Sequence, residues 1–344
     1  AGEILTVKEL LQCMLIVSAN EACNILADWY AGSIPAFVDA MNAKAEELGC
    51  ADTHFVNPSG LHDPDHYTSA WDLYLITKAA MQYPEFMEIC DSAKAVIPAT
   101  NLSKERSLYT TNHLLSNWRV IGYRDTRAHG IKTGSTDAAG HCLISSAQEG
   151  DLHFVSVVMG AERIEENGVG NLLNFSETSH LFDYGFKNFS YRTILKKDEI
   201  VQEVTVSLSK TDYVTVHPAD DVEVLFPRDL DPAELERVIT LPDAADAPIT
   251  AGQKLGTMEL KDGDTSYATV DLLASNDVEA DSLMVFRHNV TLFFQKPTVR
   301  IGIVVLAVLI LLLAVLYFTR GSRRRRYGRS PRSYSSGYRG RRRR

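Results

Sequence analysis

Lys132-Thr133-Gly134 lies on a strand-like run at the centre of the stretch His129 to Ala147, and two further apolar runs, Cys142 to Ala147 and Phe154 to Met159, follow it with short polar turns between them. Alternate side chains of a strand face one way, so Lys132 and Gly134 share a face: a cation beside a position with no side chain. That pairing suits an extended anionic ligand. The ammonium can donate a charge-assisted hydrogen bond to a carboxylate, and the glycine lets a ligand's backbone approach the strand. Ser18-Ala19-Asn20 places two further short polar side chains within the mostly apolar Met14 to Ala27. Serine and asparagine at such a place also suit plain helix capping, the commoner use of the pair.

Lys-Thr-Gly with a Ser-x-Asn-type triplet and a Ser-x-x-Lys pair is the signature of penicillin-binding proteins and class A β-lactamases. Between the two triplets stand Phe55-Val56-Asn57-Pro58-Ser59-Gly60-Leu61-His62-Asp63 and His66-Tyr67-Thr68-Ser69-Ala70-Trp71-Asp72-Leu73. On these motifs the chain resembles the serine D-alanyl-D-alanine carboxypeptidases, the low-molecular-weight penicillin-binding proteins of peptidase family S11. The resemblance runs from about Leu5 to Phe189, and a second part covers roughly 196 to 290. It implies an α+β chain: a partial penicillin-binding-protein-like catalytic domain over 1–190, a small β-rich domain over 196–290, a transmembrane helix over 299–318 and a basic tail over 319–344. It also implies that Ser18 assists proton transfer, Asn20 contacts the substrate backbone, Lys132 and Thr133 bind the terminal carboxylate, and Gly134 lets the ligand close in. No cofactor or metal is implied. The implied partners are peptidoglycan pentapeptide stems and, for the whole enzyme, β-lactams. In the resembling family an arginine shortly before the last helix of the catalytic domain helps to hold that carboxylate; alignment on Tyr184-Gly185-Phe186 puts Asn174 there, with Arg163 the nearest substitute.

The elements that must position these residues follow from periodicity. Thr6 with Glu9 reads as a capping box opening a helix through Val17, which leaves Ser18-Ala19-Asn20 at the junction with a second helix. A third helix is predicted over Ile34 to Leu48, with Pro35 in its first turn and Gly49 beyond its end. Asn57-Pro58-Ser59-Gly60 has turn chemistry, Ser69 to Tyr83 reads as a helix stopped by Pro84, and Ala93 to Arg127 is mixed and polar. Asn171 to Asn188 returns to helical spacing. From Lys196 short alternating runs predict strands. His62, Asp63, Asp65 and His66 crowd one turn around Pro64 and are expected to be a polar loop without a metal. Five cysteines show no Cys-x-x-Cys spacing; most read as small buried hydrophobes, with one disulfide allowed if the body is extracytoplasmic.

Ile301 to Phe318 is an unbroken apolar run of eighteen residues. As a helix rising about 1.5 Å per residue it nearly spans a hydrocarbon core of roughly 30 Å. Thirteen of the 35 basic residues lie at Arg300 or beyond and no acid does, so residues 1–299 carry 22 basic against 44 acidic residues, a net of −22. The acidic body argues against nucleic acid as its partner. The dense arginines after the span place the C-terminus in the cytoplasm and the body outside a cell membrane crossed once. The tail itself suits anionic lipid better than nucleic acid.

The chemistry lacks one part. In the resembling family a serine one helical turn before a lysine acylates, some tens of residues ahead of the Ser-x-Asn triplet, and only seventeen residues precede Ser18. Among all the serines, the single Ser-x-x-Lys match is Ser207-Leu208-Ser209-Lys210, which follows Lys-Thr-Gly and reads as strand, where residues three apart face opposite ways. The expectation is therefore a portion of an active carboxypeptidase, inactive by itself, with a signal peptide and the first part of the catalytic domain upstream. The rival is a membrane-anchored, non-catalytic peptidoglycan-binding or scaffold protein.

Overall fold

A computed structural model describes residues 2–166 and 169–326. The basic tail from Tyr327 onward lies outside the described residues. The chain divides into two units: the N-terminal part through Arg192 together with Glu223–Glu234, and Thr193–Val222 together with the chain from Leu235.

The first unit begins with α1 (Val7–Val17), opened by the capping box in which Thr6 Oγ1 accepts from Glu9 N and the Glu9 carboxylate accepts from Thr6 N. Its Leu10, Cys13 and Ile16 are buried with Ala22 of α2 (Asn20–Ala31). α3 (Ile34–Glu47) is capped by Ser33, whose hydroxyl accepts from Ala36 N, and carries Pro35 in its first turn as predicted. The helix predicted over Ser69 to Tyr83 is α4 (Ala70–Ala80), capped by Ser69. Pro84 opens a further helix, α5 (Pro84–Cys90), which the sequence reading missed: proline's missing N–H costs nothing in a first turn. Ala93 to Arg127 is also more regular than predicted. It holds a hairpin, β1 (Lys94–Ile97) with β2 (Arg106–Tyr109), whose four-residue strands are too short to show alternation. Ile97 and Leu108 seal the same core as α1.

β3 (Ala128–Thr136), β4 (Gly140–Glu149) and β5 (Leu152–Ala161) form an antiparallel sheet in that order. After the short pair β6 (Arg163–Glu166) and β7 (Val169–Leu172), α6 (Leu173–Asn188) packs on the sheet through Phe175, Phe182 and Phe186 against Leu143 and Ala147. Arg127, at the entrance to β3, ties the two together: its Nη2 reaches Asp183 of α6 at 2.6 Å and Asp125 at 2.7 Å. β8 (Phe189–Leu195) closes the segment.

The second unit contains a six-stranded sheet. Its members are β9 (Gln202–Ser207), β10 (Tyr213–Pro218), β12 (Glu236–Thr240), β13 (Ala244–Asp246), β14 (Lys254–Asp262) and β15 (Thr265–Ala274), in the order β12-β14-β15-β10-β9-β13. The intervening β11 (Val222–Pro227) pairs with β8. Alternation along β10 buries Val214 and Val216 and leaves Tyr213 exposed, the pattern of a half-buried strand. α7 (Ser282–Gln295), capped by Asp281, leads into α8 (Pro297–Arg326). Pro297–Tyr317 of α8 has a mean hydropathy of 3.1, is long and apolar enough to cross a membrane, and is buried nowhere. The chain is thus α+β with a β-rich C-terminal sheet and one apolar C-terminal helix, as the motifs implied. All five cysteines are free thiols, so the disulfide allowed by the sequence is not formed.

Candidate active site

The junction between α1 and α2 is a left-handed turn at Ser18, φ 61°, which ends the first helix. Ser18 does not cap α2 with its side chain, as the simple capping reading would have it; the residue before α2 is Ala19, with no side-chain cap. The Ser18 hydroxyl instead meets Lys132, whose Nζ donates to Ser18 Oγ at 2.9 Å and to the Thr133 carbonyl at 2.7 Å. Two motifs 114 residues apart in sequence thereby become one site.

β3 is shaped to deliver that lysine. Its register with β4 shifts between His129 and Lys132, a bulge that re-aims the side chains beyond it. Gly130, at φ 63°, sits in the bulge, and a Cβ there would lie 3.1 Å from Cys90 Cβ. Around it a polar cradle uses the free backbone groups: Asn112 Nδ2 and Ser145 Oγ both donate to the Gly130 carbonyl at 2.6 Å, and Gly130 N donates to Asp91 Oδ1 at 3.2 Å. None of these supports was legible, because each is a single polar residue with no local pattern.

Ser18, Asn20, Lys132, Thr133 and Gly134, the five residues assigned from the motifs, all line one cleft of about 780 Å³. Its walls add Met14 and Leu15 from α1, Pro58 to Leu61 and His66 to Thr68 from the long loop, and Ser135 beyond the triplet. Asn57 holds the loop in its turn, its Oδ1 accepting from Ser59 N and Gly60 N. Thr111 was not foreseen. Its hydroxyl pairs with that of Thr133, which fixes how Thr133 presents its oxygen to the cleft. His66 Nδ1 accepts from Val56 N, and Asp63 Oδ1 accepts from Asp65 N, so the loop's polar side chains fold the loop itself. Among the described residues no three His, Cys, Asp or Glu side chains are placed to share a metal ion.

Burial pushes the Lys132 amine below the ordinary lysine range, with the Cys23 and Cys90 thiols pulling weakly the other way. Burial raises the thiols themselves, Cys90 to about 12, which keeps them protonated and unreactive beside the amine. The site is a lysine with few protein partners, facing a cleft lined by hydroxyls and an open glycine edge. Such an arrangement can hold an anion and relay a proton between amine and hydroxyl.

Asn174 does not supply the missing arginine's contact. It is buried in α6, its Nδ2 donating to the Cys142 carbonyl at 3.4 Å. Arg163 lines a separate, adjoining cleft, its guanidinium lying over Gly170 of the β6–β7 pair. Ser207-Leu208-Ser209-Lys210 belongs to the second unit and is not helical. The strand predicted there ends at Ser207, the chain turns at Leu208 with φ 62°, and the Lys210 side chain is 84% exposed beside Asp281.

Residues 1–163 match the D-alanyl-D-alanine carboxypeptidase family, peptidase S11, and residues 189–280 match the penicillin-binding protein 5 C-terminal domain. The chain is 29% identical to the D-alanyl-D-alanine carboxypeptidase DacF of Bacillus subtilis over 83% of its own length and 69% of that protein's. It is 29% identical to DacC of Escherichia coli over 81% of its own length and 65% of the relative's. Among solved structures, penicillin-binding protein 5 from Haemophilus influenzae is similar with a TM-score of 0.55 and 26% identity, over 80% of this chain and 75% of that one. The two matched families in order, the penicillin-binding-protein fold and the Lys-Thr-Gly strand set against a Ser-x-Asn junction agree with one another: residues 1–163 are those of a serine-type D-alanyl-D-alanine carboxypeptidase of peptidase family S11, the low-molecular-weight penicillin-binding proteins, and residues 189–280 are those of the C-terminal domain of penicillin-binding protein 5.

Proposed function

We propose that this chain builds the substrate-holding and proton-relaying side of a D-alanyl-D-alanine carboxypeptidase site, and that its ligand is the D-alanyl-D-alanine end of a peptidoglycan stem peptide. The observation that carries the reading is the contact of Lys132 Nζ with Ser18 Oγ at 2.9 Å in a cleft that also contains Asn20, Thr133 and Gly134. In this reading Lys132 and Thr133 hold the terminal carboxylate, Asn20 takes a backbone amide of the ligand, Ser18 passes a proton, and Gly134 leaves room for the peptide to lie along β3. Whole relatives are named as carboxypeptidases, which supports the reaction class. Isothermal titration of the chain in detergent with N-acetyl-L-lysyl-D-alanyl-D-alanine and with its L-alanyl-L-alanine diastereomer tests it. Binding of the D-form alone is expected; equal binding of both would overturn the assignment.

A binding role without catalysis is the second reading. It is favoured by the local geometry of the chain's one Ser-x-x-Lys match, which falls at a strand end and a left-handed turn with Lys210 exposed, and not on one face of a helix. Under either reading the chain is anchored by α8, with the body outside the cytoplasmic membrane and the arginines from Arg320 inside, because positive flanks are retained on the cytoplasmic face. Protease added to intact protoplasts is expected to digest the body and spare an epitope placed after Arg344. Loss of the epitope with the body intact would reverse the orientation.

A further inference from the structure

The bulge that aims Lys132 is anchored by side chains outside the cleft's lining. His129 and Ser146 are the last regular pair of β3 and β4 before the bulge, and Lys132 and Ile144 are the first beyond it. On the entry side the backbone is pinned to β4, because Ser146 Oγ donates to the His129 carbonyl at 2.7 Å. α5 supplies the second anchor. Asp91, the residue that ends this helix, accepts from His129 Nδ1 at 3.0 Å with Oδ2 and from Gly130 N at 3.2 Å with Oδ1. A carboxylate only accepts, so the ring gives its Nδ1 hydrogen. One side chain thereby clasps two consecutive residues of β3 at the point where the strand leaves its register.

The same helix end reaches the other half of the site. Ile89 is buried with Leu10, Cys13 and Ile16 of α1, the helix that stops at Ser18, and a Cβ on Gly130 would meet Cys90 Cβ at 3.1 Å. Ile89, Cys90 and Asp91 thus touch, in turn, α1, the bulge and the strand entering it. Groups that grip a ligand need supports that hold them to roughly 0.5 Å. Resting on the D-alanyl-D-alanine reading above, we propose that Asp91 and His129 are positioning residues: their clasp fixes the bulge to α5, which is packed on α1, so that Lys132 meets Ser18 and the C-terminal carboxylate of the ligand together. His129 acts through Asp91, since its ring holds Oδ2 and leaves Oδ1 aimed at Gly130 N. The titratable groups acting on the Lys132 amine are the Cys23 thiol of α2 and the Cys90 thiol of α5, and burial outweighs both. Loosening the clasp lets water reach the amine and brings it back up toward the ordinary lysine range. Loss of the Asp91 charge alone would act the other way, so the direction of the shift separates positioning from electrostatics.

The test uses the full chain in detergent micelles and N-acetyl-L-lysyl-D-alanyl-D-alanine as the free acid and as the C-terminal carboxamide, each titrated calorimetrically, with the acid titration repeated across alkaline pH. The unmodified chain is expected to prefer the acid. Asp91→Ala and His129→Phe should each lower the acid-to-amide affinity ratio, the first about tenfold, the low end of a hydrogen bond to a charged group. In both, the pH at which acid affinity falls should move up. The double substitution should lower the ratio no further than Asp91→Ala, since the imidazole acts through the carboxylate. Asp91→Asn should preserve it, because the amide still accepts from Gly130 N and donates to a bare Nδ1. If Asp91→Ala does not fold, His129→Phe decides alone: it keeps the Gly130 contact and replaces a side chain that is 44% exposed. A merely structural role would weaken acid and amide together with the pH midpoint in place. That result, a midpoint that moves down, or full discrimination in either variant would overturn the inference while leaving the D-alanyl reading in place. Failure of the unmodified chain to bind either ligand would overturn that reading and this inference with it.

Discussion

Incubated with a fluorescent penicillin and run on a denaturing gel, these 344 residues should carry no covalent label. Acylation needs a hydroxyl whose proton a neighbouring base can take, and removing the nucleophile from a triad-type site removes nearly all of its rate enhancement, on the order of a millionfold in a serine protease. Two serines can be asked to substitute. Ser207 lies on a strand end, and its partner in sequence, Lys210, is engaged with Asp281 at 3.5 Å and exposed to water. Ser18 does touch a lysine, but Lys132 Nζ is the donor in that contact and donates to the Thr133 carbonyl as well. An ammonium that gives a hydrogen bond to Ser18 Oγ cannot at the same time accept its proton. In the proposed reading Ser18 passes a proton and another group attacks. A labelled band whose peptide maps to Ser18 would show that the serine and Lys132 form a working pair, and the reading of this chain as the holding side of a site would fall.

Much of this arrangement was legible because its parts are local. The Thr6–Glu9 capping box, the end of α1 just before Ser18 and the proline at the start of α3 are each decided within four residues, and each was read correctly. The triplet on β3 was legible as chemistry, but its reach to Ser18 was not: a contact across 114 residues leaves no periodicity. The bulge at Gly130, which aims Lys132, depends on Asn112, Ser145 and Asp91 arriving from three other segments. Only the fold brings them together. Thr111 against Thr133 and His141 against Ser135 are of the same kind, visible once register is known. Where a prediction missed, the cause was competition between local rules. Pro84 reads as a stop, yet four residues beyond the end of α4 at Ala80 it serves as the start of α5. Ser207 to Lys210 was read as strand from its alternating neighbours, and a left-handed Leu208 breaks that alternation.

Replacing Lys132 with methionine should separate binding from stability. The side chains are close in length, so the packing beside Cys23 and Cys90 is retained while the charge is lost. Affinity for N-acetyl-L-lysyl-D-alanyl-D-alanine should fall roughly ten- to a hundredfold, from losing a hydrogen bond to a charged group worth about 1.5–3 kcal/mol. The thermal midpoint should hold or rise, because burial disfavours the ammonium and methionine is spared that cost. pH makes the same separation in the unmodified chain. The folded-state amine titrates below the ordinary lysine range, so between that lowered value and the ordinary one the unfolded chain holds more protons than the folded one. Lys132's contribution to stability therefore rises with pH across this window, and below it the full cost of burying the charge is present. Binding of the peptide acid runs the opposite way, since only the ammonium attracts the carboxylate: affinity should fall as pH climbs through the same window and start falling at a lower pH than an exposed lysine would allow. Calorimetric titration across alkaline pH, with thermal melts on the same samples, would show the two trends running in opposite directions, and the difference between the unmodified chain and Lys132→Met isolates the part of each that Lys132 causes. Peptide affinity that stays constant up to the ordinary lysine range, or a methionine variant that binds as tightly as the unmodified chain, would remove Lys132 from the ligand and leave it a merely buried amine.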